Sequence, residues 1–348
     1  MIRLQPSVLE GVLQPKSAQD LWPALQQAIE LEHSTIPPYL YALYSLNTSA
    51  NAEIAAILQS VVVEEMLHMT LSSNVLNALG GSPSIDRPDF IPKYPGPLPG
   101  GVQSDLTVHL APFSLNQLDT FLQIEEPEDP IEFKSLQAME ALPEITIGQF
   151  YTAILLAIEI LGDGAFVKPP RNQVGPDLMP ESIVVYDVAT AKAAITTIIE
   201  QGEGTSTSPL EVVGAGFAHY YRYMQIKKGN RLVKNPDPHL PPDQQYSYTG
   251  APVPFSAAGV YCAPTDPSSA KYPAGSAQAF ANDNFNYTYT SLLAALHAMF
   301  NGANTQDQFN RAIGLMMSLK SQAIAMMSGV PNPALLIGPS FEYLPVNP

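Results

Sequence analysis

The longest uninterrupted helical pattern in the chain runs from Asn51 to Leu79 and stops at Gly80 and Gly81. Apolar residues recur in it every three or four positions, which places them on one face of an α-helix. A helix of this length stabilises itself mainly by burying that face against other elements. The pattern therefore predicts a bundle of packed helices.

Further segments have the same spacing. Asp20 is a candidate N-cap for the first helix, and Pro37 and Pro38 inside it predict a kink or a break. Ser114 and Thr146 each open a possible capping box. The predicted helices cover residues 20–46, 51–79, 114–126, 146–161, 187–201, 210–229, 288–300 and 305–329. The helix at 146–161 is apolar on nearly every side, so we expect it to be central. The alternating stretches 106–111 and 182–188 are strand candidates, and the fold class is all-α.

Composition limits the function classes. The hydrophobic fraction is 46% and the charged fraction 14%, which suits a sizeable core. A net charge of −16 makes nucleic acid and anionic membranes poor partners. The single cysteine, Cys262, excludes an internal disulfide and a cysteine-based zinc site. No signal peptide and no apolar run of about 20 residues is evident, so we expect a cytoplasmic protein.

Two helices carry ionisable residues on their apolar faces. In the first, Glu32 lies on a stripe with Ile29 and Ile36. In the second, Glu65 and His68 lie on the stripe one turn apart. Burying a carboxylate without a partner costs several kcal/mol, whereas a divalent metal turns carboxylate and imidazole into ligands. Glu-x-x-His with a glutamate from a facing helix is the arrangement of carboxylate-bridged metal bundles. The alternative is a chance Glu-x-x-His on a solvated face.

Later segments offer further candidate ligands. His219 lies on an apolar face, with a core histidine bonded to a carbonyl as the alternative. Glu203 follows a predicted helix, where the dipole disfavours a carboxylate unless a cation is near. Glu200, one turn earlier, is a second choice. Glu159 is the one charged residue in the helix at 146–161. Its apolar surroundings make it a candidate metal ligand, with a position at the boundary of the core as the alternative. Glu64 is expected to be exposed or to support a ligand. The other histidines are interpreted as core (His297) or as lacking a supporting cluster (His33, His109, His239).

Seven segments together carry a resemblance to a known family. They are "AIELEHSTIPPYLYALYSL", "VVVEEMLHMTLSSNVLNALGGSP", "TIGQFYTAI", "IIEQGEG", "AHYYRYMQI", "FNYTYTSLLAALHAMFNG" and "GPSFEY". From about residue 18 to 344 the chain resembles the ferritin-like domain of the iminophenyl-pyruvate dimer synthase family, which includes coupling enzymes of violacein and rebeccamycin biosynthesis and stand-alone relatives.

The resemblance implies a ferritin-like fold with metal-linked oxidative chemistry. Carried over by position, it points to five metal ligands: Glu32, Glu65, His68, Glu203 and His219. Glu65 is the expected bridging ligand, with Glu32 and His219 near separate metals and Glu203 completing the second position. Gln149 stands where the family usually has a glutamate. It is either a weak ligand, leaving the second metal loosely held or missing, or the capping partner of Thr146.

The functional hypothesis is a non-haem iron oxidase or oxygenase acting on a small organic molecule, with dioxygen and oxidative coupling of amino-acid-derived imines as its chemistry. Another divalent metal could replace iron. The alternatives are a metal-binding protein without turnover, iron storage as the third, and a helical scaffold without metal. Three tyrosines are candidate cavity residues, with core packing favoured for at least two: Tyr39, Tyr151 and Tyr220. The sequence does not decide whether the chain forms a homo-oligomer.

We expect a single ferritin-like domain over residues 1–348. The metal-site helices lie within 18–228 and are interrupted by an irregular excursion at 81–143. A loop-rich extension at 229–348 ends in two helices that pack on the bundle.

Overall fold

The structure is a computed structural model of the chain. It describes residues 3–4, 6–100, 106–126, 145–202, 216–237, 239–240, 245–330, 332–333 and 336–345. Within these ranges the chain forms eight α-helices and two pairs of two-residue strands. The all-α prediction is confirmed.

The helices are α1 (Trp22–Tyr44), α2 (Ala52–Ala78), α3 (Leu115–Ile124), α4 (Ile147–Leu161), α5 (Val188–Gly202), α6 (His219–Lys228), α7 (Ala277–Phe300) and α8 (Gln306–Ser328). The strands are β1 (Arg3–Leu4), β2 (Ile145–Thr146), β3 (Val233–Lys234) and β4 (Tyr246–Ser247). They pair antiparallel as β1 with β2 and β3 with β4. Neither strand candidate from the sequence forms a strand, although Val108 makes an isolated bridge with Gly96.

The prolines in α1 do not break the helix. Trp22–Tyr44 is continuous through Pro37 and Pro38. Because Pro38 has no N–H, the carbonyl of Ser34 loses its helical donor, and the Tyr94 hydroxyl donates to it instead at 2.6 Å. The expected break is therefore wrong, since a tyrosine from the excursion replaces a missing hydrogen bond.

Most predicted helix ends agree with the structure. Ser114 accepts from the backbone of Gln117, and Thr146 and Gln149 form a reciprocal capping box. Gly80, with φ of +84°, follows the end of α2 in a conformation that favours glycine.

Three starts differ. Asp20 is not the N-cap of α1, because it lies in the 3-10 turn Ala18–Leu21 and Leu21 precedes α1. α7 begins at Ala277 rather than 288, and α6 begins at His219, while residues 210–215 of its predicted range lie outside the described residues.

Helices α1, α2, α4 and α5 surround the centre of the bundle. α1 packs on α2, α2 packs on α5, and α5 packs on α4. α3 and α6 pack together beside α2, while α7 and α8 pair and contact α2 and α1. α4 belongs to this centre, as expected, and its exposed residues are Glu159 and Ile160 near its C-terminal end.

Helix α2 is also long and apolar enough to span a membrane, judged by length and composition, with a window of mean hydropathy 1.4. Its apolar sequence is interrupted by Glu64, Glu65 and His68, so it is not an uninterrupted apolar run. Of that window, 67% is buried inside the protein, and a core helix of a globular protein passes the same test.

Candidate metal centre

The first half of the buried cluster joins α1 and α2. Glu32, Glu65 and His68 are at most 6% exposed. Nδ1 of His68 lies 3.5 Å from Oε2 of Glu32 and 4.0 Å from Oε2 of Glu65. The hydroxyl of Tyr151, from α4, donates to Oε1 of Glu32. Each helix thus presents its apolar stripe to the centre and carries its ionisable residues there.

The second half joins α2 to the ends of two shorter helices. His219, the first residue of α6, is fully buried, and Glu125 directly follows α3. Nδ1 of His219 lies 3.0 Å from Oε1 of Glu65 and 3.4 Å from Oε2 of Glu125. The hydroxyl of Tyr39 donates to Glu125. Both halves therefore use the carboxylate of Glu65, one oxygen facing each histidine.

The potential ligand atoms lie close enough to share ions. Among the described residues, two groups bring three such atoms within 4.8 Å of one another, namely Glu32–Glu65–His68 and Glu65–Glu125–His219. The two imidazole rings stack with centroids 5.4 Å apart. A carboxylate between two carboxylate–imidazole pairs is the ligand chemistry of a two-metal bundle site.

Each histidine is oriented by a hydrogen bond on its outer side. Nε2 of His68 lies 3.0 Å from Oε1 of Gln201, and Nε2 of His219 lies 3.0 Å from Oε2 of Glu64. Both partners are acceptors, so each Nε2 carries a proton and each Nδ1 faces the carboxylates. Nδ1 of His219 is buried between the carboxylates of Glu65 and Glu125. A buried nitrogen held in this way among carboxylates is suited to a metal ligand.

The cluster buries three carboxylates beside two imidazoles, and this arrangement shifts the pKa of its groups. Burial and then the charge of Glu125 raise the pKa of Glu65 to about 8. Burial raises the pKa of Glu32, but the hydrogen bond and charge of His68 outweigh it and the net pKa is lowered. Burial lowers the pKa of His219, yet the charge of Glu125 drives it well above its usual value. The cluster is balanced only by holding protons, and a divalent cation would replace them. Carboxylate and imidazole donors fit iron, manganese or zinc.

A small cavity lies beside the cluster. It has a volume of about 40 Å³, and its polar wall includes Glu32, Glu65, His68, Glu125 and Tyr151. Its apolar wall comes from four elements of the bundle: Leu31, Ile124, Ile147, Ile198 and Ile199. A space of this volume accommodates dioxygen or a few waters.

The structure brings together four of the five ligands predicted from the sequence: Glu32, Glu65, His68 and His219. Glu203 lies outside the described residues, although Gly202, which precedes it, lines the cavity. Glu200 is half-buried in the last turn of α5 and belongs to neither group.

Two further candidate ligands, Gln149 and Glu159, have other roles in the structure. Oε1 of Gln149 accepts from the backbone N–H of Thr146 at 3.2 Å, so its side chain is the helix cap. Glu159 is exposed and pairs with Lys192 at 3.2 Å. Because Glu159 lies on the solvent-exposed part of α4, its charge in an otherwise apolar helix is explained without a metal.

Glu125 was missed, although the sequence contains its signal. Leu118, Phe121 and Glu125 follow a three-and-four spacing, the same criterion that identified Glu32 and Glu65. Glu125 also lies at a helix C-terminus, where a cation compensates an unfavourable dipole.

The remaining candidates have local partners. Glu64 is half-buried and supports His219, as one of its two interpretations proposed. Of the three tyrosines, Tyr39 and Tyr151 are buried and bond to cluster carboxylates, whereas Tyr220 is half-buried against Tyr221.

Two histidines thought to lack partners have them. His33 accepts from or donates to Tyr289 at 2.7 Å, and His109 pairs with Asp266 at 2.6 Å. His297 is half-buried near Asn301 rather than fully in the core, and His239 is exposed.

The fold and this site define a ferritin-like helical protein. The ferritin-like family profile matches residues 25–228, more than half of the chain, and the chain belongs to that family. A crystal structure of a ferritin-like protein from Caulobacter vibrioides superposes with a TM-score of 0.63 at 24% identity, covering 93% of this chain and 97% of the other. At this identity the structural match supports the fold alone.

A more specific relative is dichlorochromopyrrolate synthase of Lentzea aerocolonigenes. It is 25% identical over 248 residues, which are 58% of this chain and 24% of the relative. The chain thus matches about a quarter of that enzyme's length. This match confirms the resemblance to the ferritin-like domain of the dimer synthase family.

Proposed function

We propose that this protein is a metal-dependent oxidase or oxygenase that uses iron and acts on a small organic molecule. The observation that carries the proposal is the buried, shared carboxylate of Glu65 between His68 and His219. Neutral packing does not require such a cluster, and burying it without a cation is costly. The resemblance to the dimer synthase family, which the match to dichlorochromopyrrolate synthase supports, adds the proposed reaction class, oxidative coupling of amino-acid-derived imines.

The proposed ligand sets follow the two groups. One position takes Glu32, Glu65 and His68, and the other takes Glu65, Glu125 and His219. Glu203 remains a proposed additional ligand. Three protein ligands at a position leave room for dioxygen or substrate, as in other catalytic metal sites. When bound here, reduced iron supplies electrons and open coordination positions for dioxygen chemistry.

The surrounding residues keep the ligands in place. Burial, followed by the charge of a nearby glutamate, raises the pKa of Tyr39 and Tyr151 well above the usual value. Both phenols therefore stay neutral and act as hydrogen-bond donors to Glu125 and Glu32. The isoleucine-rich wall gives the cavity an apolar side, and a low-dielectric wall strengthens the electrostatic interactions beside it.

The volume of the cavity suits dioxygen but not the organic substrate. Pockets for drug-sized ligands are about 300–1,000 Å³, whereas this cavity has about 40 Å³. We infer that the described cavity holds dioxygen and that an aromatic imino acid requires it to enlarge. The same small volume favours a second candidate, a metal-binding protein without organic turnover. Iron storage is the third candidate. A cytoplasmic location, and no nucleic-acid or membrane partner, remain parts of the proposal.

The test is rapid mixing of the anaerobically iron-loaded protein with dioxygen, followed by absorption. We expect dioxygen consumption that accelerates when an aromatic imino acid is generated in place by an amino-acid oxidase, beyond the dioxygen that this oxidase consumes in a control without the protein, and with catalase present to remove its peroxide. His68→Ala should abolish it, while Glu159→Gln, which removes an exposed carboxylate, should not. Oxidation unaffected by any organic candidate favours metal binding without turnover. An iron-loaded protein inert to dioxygen overturns the oxidase proposal.

A further inference from the structure

The two halves of the cluster have the same set of residue types, one glutamate, one tyrosine and one histidine each, around the shared Glu65. Each has one glutamate of its own, and each such glutamate accepts from a buried tyrosine, Glu32 from Tyr151 and Glu125 from Tyr39. Each has one histidine whose Nδ1 faces the shared Glu65. The described halves differ in what the outer nitrogen of each histidine bonds to.

Behind His68 is a neutral amide. Nε2 of His68 lies 3.0 Å from Oε1 of Gln201, and Nε2 of Gln201 donates to Oε2 of Glu181 at 3.4 Å. The carboxylate of Glu181 can only accept, so it fixes the orientation of the amide and turns its oxygen to the histidine. Gln201 is 1% exposed, so this acceptor is held within the protein.

Behind His219 is a carboxylate. Oε2 of Glu64 lies 3.0 Å from Nε2 of His219, and Oε1 of Glu64 accepts from Nη1 of Arg222 at 2.7 Å. Nη1 of Arg222 also donates to the hydroxyl of Ser60 at 3.2 Å. The arginine favours the ionised form of Glu64 and leaves the direct histidine–carboxylate bond in place.

An imidazole that donates to a carboxylate is a more basic ligand than one that donates to an amide. Such supporting partners change metal affinity by about 10–100-fold. We propose that Glu64 makes the His219 position the tighter of the two metal positions, so that it fills first, whereas Gln201 leaves the His68 position weaker. This inference rests on the proposed metal centre and adds an order of loading and two positioning residues.

The experiment titrates metal-free protein with Co²⁺ against a competing chelator, followed by visible absorption. The wild-type protein should bind two equivalents of unequal affinity. His68→Ala should retain the tight equivalent, and His219→Ala should lose it. Glu64→Gln keeps an acceptor oxygen but removes its charge, so it should weaken the first equivalent by about 10–100-fold and leave the second within about twofold.

A reciprocal exchange provides the matched variant. Gln201→Glu is made together with Glu181→Gln, so that the new carboxylate does not face a like charge. It should tighten the weak equivalent toward the strong one. Melting of each metal-free variant checks folding, and if Glu64→Gln does not fold, the exchange still decides the question.

The outcomes separate this inference from the metal centre itself. Two equivalents of equal affinity, or an unchanged first equivalent in Glu64→Gln, overturn the order of loading while keeping the centre. An exchange that leaves the weak equivalent unchanged also overturns it. A wild-type protein that binds no Co²⁺ overturns the metal centre as well.

Discussion

The carboxylates of the metal centre and the carboxylate of Glu342 both leave bulk water, but their partners differ. Glu342 is half-buried in the C-terminal tail and accepts from Ser268 Oγ at 2.8 Å, Ser269 N–H at 2.9 Å and Ser340 Oγ at 3.0 Å. Burial raises its pKa, but the hydrogen bonds led by Ser269 lower it overall. Neutral donors are sufficient to hold this single charge.

Within the described residues, the neutral donors to the carboxylates at the centre of the bundle are two tyrosine hydroxyls, from Tyr151 to Glu32 and from Tyr39 to Glu125. Glu32, Glu65 and Glu125 share two histidines, and the pKa of Glu65 rises to about 8. Burial of a carboxylate alone therefore does not identify a metal site. The distinguishing feature is several carboxylates that compete for too few donors, so that a cation lowers the free energy of the folded state.

Removing the shared carboxylate should have the largest effect. We expect Glu65→Ala to lose both metal equivalents, because Glu65 faces both histidines, and to lose dioxygen consumption with them. Metal analysis after anaerobic loading and desalting measures this. Glu342→Ala is the control and should keep the full metal content. Retention of both equivalents by Glu65→Ala would remove the basis of the shared site.

Stabilisation by metal should depend on pH. Between about pH 4.5 and 8, metal-free folded protein keeps a proton on Glu65 that the unfolded chain has lost, so its stability falls as pH rises. Metal replaces that proton, and its affinity therefore rises with pH. At metal concentrations 100-fold above Kd the gain is about 2.7 kcal/mol, on the order of 5 °C in Tm.

Thermal melts with and without zinc at about pH 5.5 and about pH 8 measure this difference. The metal-induced shift should be clearly larger at the higher pH. An equal shift at both values would mean that no proton is displaced from the centre.

Changing the tail should affect stability alone. Glu342→Gln keeps the shape but loses charge-assisted hydrogen bonds, and we expect it to cost about 1–2 kcal/mol. Urea unfolding of the metal-free protein measures the cost. An accompanying loss of metal would contradict the separation between the two regions.

The smallest effect is expected at Gln149. Its side chain caps Thr146, and glutamate serves equally in a capping box. Gln149→Glu should therefore leave metal stoichiometry unchanged and alter stability by about 0.5 kcal/mol or less. A gain of metal would place residue 149 at the centre after all.

The sequence was informative wherever periodicity determined burial. Glu32, Glu65 and His68 lie on long apolar stripes, and these stripes meet in the structure. Glu159 was considered as a buried ligand but is exposed, because an apolar sequence does not reveal which part of α4 faces solvent. Composition cannot distinguish a helix buried over its whole length from one whose last turn reaches solvent.

Long-range contacts were beyond the sequence. The spacing of Glu125 was visible, but its approach to His219 depends on how α3 and α6 pack together. The continuity of α1 through Pro38 depends on Tyr94, far along the chain. Local rules identify a missing hydrogen bond, whereas the tertiary structure supplies its replacement.

The most direct test of the shared centre is the anomalous difference map of crystals grown anaerobically with ferrous iron or manganese. We expect two peaks flanking the carboxylate of Glu65, one at Nδ1 of His68 and the other at Nδ1 of His219. A map without density at these atoms, from protein saturated with metal, would contradict the assignment of this buried cluster as a metal centre.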